Sequence, residues 1–413
     1  MKKIFGCIIG HNPLLSMAEV LSVFKYSCRI VAFDREFLIV EVEENIPFFP
    51  EDMGGVIKIF EVKAVVSKDK IIPTVGDMVK AYCKERGIEA KLNFTVSVYG
   101  AYKKYQKEVL LDLKKTSAAY ITGKRRFINK SLEKNAAEAL IHTEEIYEKG
   151  VEVVSAEKEG VYYLGVGRWA QDIEAYSVRD MEKPHRDSRN GMLPPKLAQT
   201  MLSLTRSDKT KVVWDPFCGS GTVLMEGLLQ GKKVIGSDAN DTMAHHSANN
   251  VQWMIEHPYF RAYTAKEYFI CQEDVSLIRN LPALHGEFPH VIVTEGYLGR
   301  NYRGEYPTRE EALRQQQDVM DIWGNFFRFL KTHLEVREIV ATFPVHILHN
   351  GIFIRCKDVP FIAEENGFEI DPLVPLEFDV ERKMRASYTK EGTILYVRGE
   401  QYVGREIVRL RRK

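Results

Sequence analysis

Three aspartates and a glycine loop in the C-terminal half of the chain are the residues whose types and spacing could do chemistry. The loop lies in Val212-Val-Trp-Asp-Pro-Phe-Cys-Gly-Ser-Gly-Thr222. This reads as an apolar strand ending at Asp215, a turn, and a helix from Val223 to Leu229. Gly219 and Gly221 permit positive φ and close approach of a ligand to the backbone. The helix start behind them offers free N–H groups. The spacing is not the dinucleotide fingerprint, and no lysine follows the glycines as in a nucleoside triphosphate loop. An adenosine-bearing ligand across the carboxyl end of a parallel strand fits better. A second strand, Lys233 to Ser237, ends at Asp238, one strand–helix–strand unit further on. A carboxylate there can accept both ribose hydroxyls, with Ala239 beside it. A third strand, Tyr268 to Cys271, precedes Asp274, placed to accept from an adenine amino group, and Val275, which would flank the ring. One such carboxylate alone would be a solvated turn residue; three at successive strand ends, in register with a glycine loop, make a site.

These residues need a parallel sheet with helices to position them. Met192 to Leu204 reads as a helix with Pro194 or Pro195 in its first turn, where the missing N–H is harmless. Leu197, Met201 and Leu204 form its apolar face. A fourth strand, His290 to Val293, leads into Thr294-Glu-Gly-Tyr-Leu-Gly299. A helix over Glu310 to Leu334 and a strand over Glu338 to Phe343 follow. Gly367 to Phe378 and Thr393 to Arg398 read as a closing strand pair, and Arg405 to Lys413 as a basic end.

The N-terminal half reads differently. Residues 1–52 alternate strand-like and helix-like pieces: strands over Ile4 to Ile9, Arg29 to Phe33 and Phe37 to Val42, and a helix over Leu15 to Phe24. Residues 53–168 form a second α+β module. Its strands are expected over Val56 to Val66, Leu92 to Val98, Val151 to Ser155 and Gly160 to Gly167. Its helices are expected over Val75 to Arg86, 103–115 and 131–149. From Tyr102 to Lys130 nine basic residues face two acidic ones, with Tyr102, Tyr105, Tyr120 and Phe127 interleaved. Basic side chains neutralise phosphates and aromatics stack on bases, so Lys103, Lys104, Lys124, Arg125 and Arg126 are candidates for contacting RNA. Residues 169–191 read as a charged link to a domain over 192–413.

Composition bounds the answer loosely. The 413 residues hold 58 basic and 57 acidic side chains, for a net charge of +1. Only local clusters can therefore point to a polyanion. The 45% hydrophobic and 28% charged content is that of a soluble globular chain. The six cysteines include no C-x-x-C pair and no metal-ligand spacing. They read as reduced thiols of a cytoplasmic protein without a metal site, with Cys218 as a small packing residue. The apolar run after Met1 is too short for a signal peptide and reads as a strand. No stretch is long enough to span a membrane.

Asp215-Pro-Phe-Cys-Gly-Ser-Gly-Thr222 resembles the first motif of S-adenosylmethionine-dependent methyltransferases, in the subgroup that modifies exocyclic amines of nucleic-acid bases. The order of the 53–168 module, and its ending in Tyr162-Tyr-Leu-Gly-Val-Gly167, resemble the THUMP domain of RNA-modifying enzymes. From about residue 175 onward the chain is similar to the tRNA guanosine-10 2-amino-methyltransferases of archaea and eukaryotes. Its N-terminal half resembles that family's ferredoxin-like and THUMP modules. The resemblance implies an α/β fold: a C-terminal Rossmann-like class I methyltransferase domain preceded by α+β ferredoxin-like and THUMP-like RNA-binding modules. It implies S-adenosylmethionine as donor and S-adenosylhomocysteine as product. The donor would be held by Asp215, Phe217, Cys218, Gly219, Gly221, Thr222, Asp238, Ala239, Asp274 and Val275. It implies tRNA as the partner and a guanine amino group as the acceptor; some members also work with a small zinc-binding activator subunit.

The family's fourth motif is Asp/Asn-Pro-Pro-Tyr, often followed by Gly, and this chain departs from it. Aligned on Gly299, Glu295 takes the acidic place and Leu298 the aromatic one. Aligned on Tyr297, Thr294 takes the acidic place. The reading favoured here makes Glu295 the acceptor of the amine hydrogen bond and Tyr297 the stacking ring. Two rivals stand beside it: a DNA amino-methyltransferase acting on adenine or cytosine, and a donor-binding RNA-binding protein without catalysis.

Overall fold

A computed structural model of the chain describes residues 2–25, 27–43, 49–87, 93–100, 111, 126–127, 150–186, 192–206, 211–260, 267–300, 302, 304–376, 387–399 and 401–413. It divides into two compact units, Met1–Glu51 with Gly55–Glu174, and Asp52–Gly54 with Ala175–Lys413.

The first unit is built on one sheet. Its strands are β1 (Lys2–Ile9), β2 (Cys28–Phe33), β3 (Phe37–Glu43), β4 (Val56–Val66), β5 (Asn93–Gly100), β6 (Arg126–Phe127), β7 (Gly150–Lys158) and β8 (Val161–Ala170). They lie in the order β2-β3-β1-β4-β8-β7-β5-β6, so strands of both expected N-terminal modules share a ladder. Helix α1 (Pro13–Val23) is capped by Asn12, whose Oδ1 accepts from the Leu15 N–H over 3.1 Å. Helix α2 (Ile71–Glu85) buries Val75, Met78, Val79 and Tyr82 against Val96, Val151 and Val153. The expected helices over 103–115 and 131–149 fall outside the described residues, apart from Leu111. So do Lys103, Lys104, Lys124 and Arg125, while Arg126 is described only in its backbone.

In the second unit, α3 (Ile173–Met181) and α4 (Pro195–Ser203) precede an alternation of strands and helices. These are β9 (Val212–Asp215), α5 (Thr222–Leu229), β10 (Lys233–Asp238), α6 (Asp241–Glu256), β11 (Tyr268–Gln272), β12 (Val291–Thr294), α7 (Arg309–Lys331) and β13 (Glu338–Ile347). Then come β14 (Phe353–Arg355), α8 (Val359–Glu365), β15 (Phe368–Ile370), β16 (Ile394–Tyr396) and β17 (Val403–Arg412). The sheet order is β11-β10-β9-β12-β13-β17-β15, parallel from β11 to β13 and antiparallel at β17. Strand β9 is buried along its length, as expected of a strand covered on both faces. Helix α7 starts in a capping box of Thr308 and Glu311. It buries Val319, Trp323, Phe326 and Leu330, spaced at three and four residues, in a core shared with Trp214 and Phe343. No described helix is long and apolar enough to cross a membrane.

Three expectations are corrected here. The segments expected as a closing strand pair contribute β15 and β16, and each pairs with β17. The expected basic end is β17 itself, paired along nine residues of β13 from Glu338↔Arg411 to His346↔Val403. Its Arg405 and Arg409 are buried, because each finds a carboxylate partner (Glu295 and Asp371). The 169–191 stretch, read as a link, holds α3. There Arg179 is buried against Glu226 of α5 through Nε–Oε1 and Nη2–Oε2 contacts of 2.6 and 3.2 Å.

Candidate active site

The chain runs from β9 outward to β10 and β11, then crosses back to β12 and β13. The strand order thus reverses between β9 and β12, and the crevice at the carboxyl ends of those two strands is where such sheets bind ligands. A cavity of about 860 Å³ lies there. Every site residue expected of this unit lines it except Gly221.

Gly221 acts from behind. It caps α5 with φ 80°, and a Cβ there would come within 2.5 Å of Ser247 Oγ and 3.3 Å of Ser247 Cα. Its missing side chain lets α5 meet α6. Gly219, at φ 51°, has no atom within 3.8 Å of a notional Cβ and turns its N–H to Asp238 Oδ2 over 3.0 Å. Asp238 Oδ1 accepts from the Asn240 N–H over 2.9 Å. The carboxylate is thereby fixed by two backbone donors, and each oxygen keeps a lone pair for a ligand hydroxyl. Asp274 is fixed through Oδ1 alone, which accepts from the N–H and the hydroxyl of Ser276 at 2.8 and 2.7 Å.

Asp215 lies at the floor. Its Oδ1 accepts from Thr294 Oγ1 over 2.7 Å and from the Phe217 N–H over 3.2 Å. Burial, joined by the neighbouring charges of Asp238 and Glu295, pushes its carboxyl up to about 7 against the pull of those two hydrogen bonds. Burial first, then Asp215 and Asp238, hold the Cys218 thiol well above its ordinary range. Its side chain packs in a core cluster with Leu224 and Val234. Phe217 meets Trp323 with ring centroids 5.7 Å apart.

The 294–299 turn lines the same cavity beside Asp215. Thr294 closes β12 and is wholly buried on Asp215, while Glu295 and Tyr297 reach the cavity and Tyr297 is 42% exposed. Gly296 has φ 67°, and a Cβ there would come within 3.0 Å of the Thr342 carbonyl and 3.2 Å of Trp323. Glu295 is held twice: its carbonyl accepts from Thr342 Oγ1 and its Oε1 from Arg405 Nε, each over 2.5 Å. Burial raises its carboxyl above the ordinary range, and Arg405 opposes the rise. Met243 of α6 and Ile322 of α7 also line the cavity without having been expected there, and Arg300 lines it too. Met243 and Ile322 sit inside helical patterns that give no site signal. Arg405 was also missed, having been read as part of a basic end.

Residues 184–273 match the RMKL-like methyltransferase domain family. The resemblance read from residues 215–222 is borne out in this region. The matched stretch of the methyltransferase domain takes in the glycine loop and Asp238, and it ends before Asp274, Glu295 and Arg405. The tRNA (guanine(10)-N2)-dimethyltransferase of Pyrococcus abyssi is 32% identical over 112 residues, 27% of this chain and 30% of that protein. The Type II methyltransferase M.MvaI of Kocuria varians is 45% identical over 51 residues, 12% of this chain and 11% of that protein. The match thus spans less than a third of either relative. The crystal structure of TrmN from Thermus thermophilus aligns over 100% of both chains with 13% identity and a TM-score of 0.48.

Proposed function

We propose that this protein transfers the methyl group of S-adenosylmethionine to the exocyclic amino group of a guanine in tRNA. The observation that carries the reading is the single cavity shared by three fixed carboxylates, the glycine loop, and the Glu295–Tyr297 turn. The names of curated relatives support tRNA as the substrate. In this reading residues 53–168 are the THUMP-like RNA grip, following a ferredoxin-like module over 1–52. Lys103, Lys104, Lys124, Arg125 and Arg126 would meet phosphates. Six free thiols accord with a cytoplasmic setting.

The cavity fits the donor. Asp238 would take the ribose hydroxyls, Asp274 the adenine amine, and the open face of Gly219 the close approach of the amino-acid end. S-adenosylmethionine supplies a sulfonium-bound methyl. The amine lone pair forms the new N–C bond as the S–C pair returns to sulfur, and the nitrogen then sheds a proton. Glu295 accepts an N–H hydrogen bond so that the lone pair points at the methyl. Tyr297 stacks on the base after it leaves its helix, a step costing a few kcal/mol. Catalysis here is positioning and charge complementarity.

Asp238→Ala removes a charged hydrogen bond worth about 1.5–3 kcal/mol, so donor affinity should fall roughly 10- to 100-fold. Asp238→Asn keeps one acceptor and should lose less. Titration calorimetry with donor reads both, and equal, wild-type-like affinities would remove Asp238 from the site. Asp215 predicts a pH dependence. Its raised carboxyl is neutral below about 7, and its share of folding stability is present at acid pH and lost as pH rises through that value. A cationic donor favours the ionised form. Donor affinity should therefore rise between pH 6 and 8, at most about tenfold per unit, and Asp215→Asn should flatten the curve.

The deciding experiment is labelled-methyl transfer from S-adenosylmethionine to total tRNA and duplex DNA in parallel, with the methylated nucleoside identified by mass. Methylguanosine from tRNA alone supports the reading, and transfer by the chain alone makes an activator subunit unnecessary. A methylated DNA base overturns it in favour of a DNA amino-methyltransferase. Donor binding with label in neither, with candidate zinc-binding activators also supplied, leaves a binding protein without catalysis.

A further inference from the structure

Across the β13–β17 ladder Arg405 pairs with Pro344 and Ile407 with Thr342, so Arg405 and Thr342 project from the same face. Both reach Glu295. Thr342 Oγ1 holds its carbonyl, and Arg405 Nε holds its Oε1. The Arg405 side chain is 5% exposed and that of Glu295 20%. Among the described residues lining the cavity Glu295 is present and Arg405 is not, so the guanidinium stands behind the carboxylate. Among the described residues, Arg405 from β17 and Asp215 from β9 act on Glu295, and Arg300 lines the same cavity. The first favours its ionised form and the second opposes it. A base entering the cavity would exclude more water and oppose it further.

We propose that Arg405 is the positioning residue for Glu295, committing Oε1 and leaving Oε2 ionised and aimed at the incoming amine. The proposal rests on the reading of Glu295 as the amine acceptor. A carboxyl freed of Arg405 can rotate, and in a closed cavity it takes up a proton; a protonated carboxyl presents a donor to the amine as readily as an acceptor. Lysine would restore the charge without the rigid planar fork.

The test is the pH dependence of methyl transfer by Arg405→Gln and Arg405→Lys, with donor affinity measured alongside. In Arg405→Gln the acid limb of kcat should move up by about 1–3 pH units, the effect of an adjacent cation on a carboxylate. Donor affinity should stay within about twofold. Arg405→Lys should return most of that displacement. In a Glu295→Gln background, Arg405→Gln should slow transfer no further, since the two act through one contact. An unmoved acid limb in an Arg405→Gln variant that binds donor overturns the proposal, as does an equal loss in both backgrounds. Should Arg405→Gln lose donor binding, Arg405→Lys decides. An intermediate limb supports the role, and wild-type kinetics at every pH refute it. Wild-type protein that transfers no methyl would instead overturn the underlying reading, a result that needs no variant.

Discussion

Glu295→Gln should slow methyl transfer by about 10²- to 10⁴-fold, the range seen when a positioned acid–base group is lost, with donor affinity close to wild type. The substitution keeps shape and removes charge, and the geometry decides how the amide sits. Arg405 Nε is a fixed donor 2.5 Å from Oε1, so the amide turns its oxygen to Arg405 and its NH₂ to the cavity. A donor then faces the amine N–H where an acceptor is needed, and the lone pair is no longer steered toward the methyl. In the proposed reading donor binding rests on Asp238, Asp274 and the glycine loop, and should change little. Single-turnover transfer with saturating tRNA, together with donor titration, separates the two effects. A Glu295→Gln variant of full activity would make Glu295 a structural partner of Arg405 and move the acceptor role to Thr294 or a backbone carbonyl.

The placement of the three aspartates at one cavity was legible in the sequence, and that of the 294–299 turn was not. Asp215 and Asp238 end apolar strands and Asp274 lies two residues past a third, so strand periodicity and one glycine loop place all three at the same edge of a sheet. The 294–299 turn has no such internal ruler. Thr294 and Glu295 are both oxygen-bearing neighbours, and which one faces the cavity depends on where β12 ends. The structure resolves this through partners far along the chain: Thr294 is taken by Asp215, and Glu295 is held by Thr342 and Arg405. The same distance effect hid β17. Its four arginines read as a basic end until the pairing register sends Arg405 and Arg409 inward against carboxylates, with Arg355 reaching Glu406 from β14 on the other side. Charge patterns reveal burial only when the partner is known. In the same way, Arg179 looked like part of a charged link until Glu226 appeared beneath it.

Arg409→Met should destabilise the second unit by about 3–5 kcal/mol, the cost of breaking a buried ion pair by removing one partner. Arg409 is fully buried. Its Nε lies 3.0 Å from Asp371 Oδ2, and its Nη1 and Nη2 donate to the carbonyls of Leu204 and Pro372 at 3.0 and 2.8 Å. Arg206 reaches the other oxygen of Asp371 over 3.1 Å, and its N–H donates to both oxygens of Glu338. Methionine keeps much of the apolar stem, so the loss is electrostatic: two carbonyls without donors and a carboxylate left with one partner. Burial already holds Glu338 above the ordinary range, with Arg206 and Arg409 pulling it back. Without Arg409 it takes up a proton more readily, and the deficit should narrow as pH falls. It should change little with salt, since buried pairs are weakly screened. Urea unfolding followed by tryptophan fluorescence reads this unit through Trp214 and Trp323, both buried in its core. Because β17 also carries Arg405, the folded variant shows whether the strand's two buried arginines are separable. If Arg409 serves only stability, donor affinity and the pH profile of transfer should remain those of the wild type at temperatures where the variant is folded. A loss below about 1 kcal/mol would mean that desolvation of the pair nearly cancels its attraction, as it does for many buried pairs.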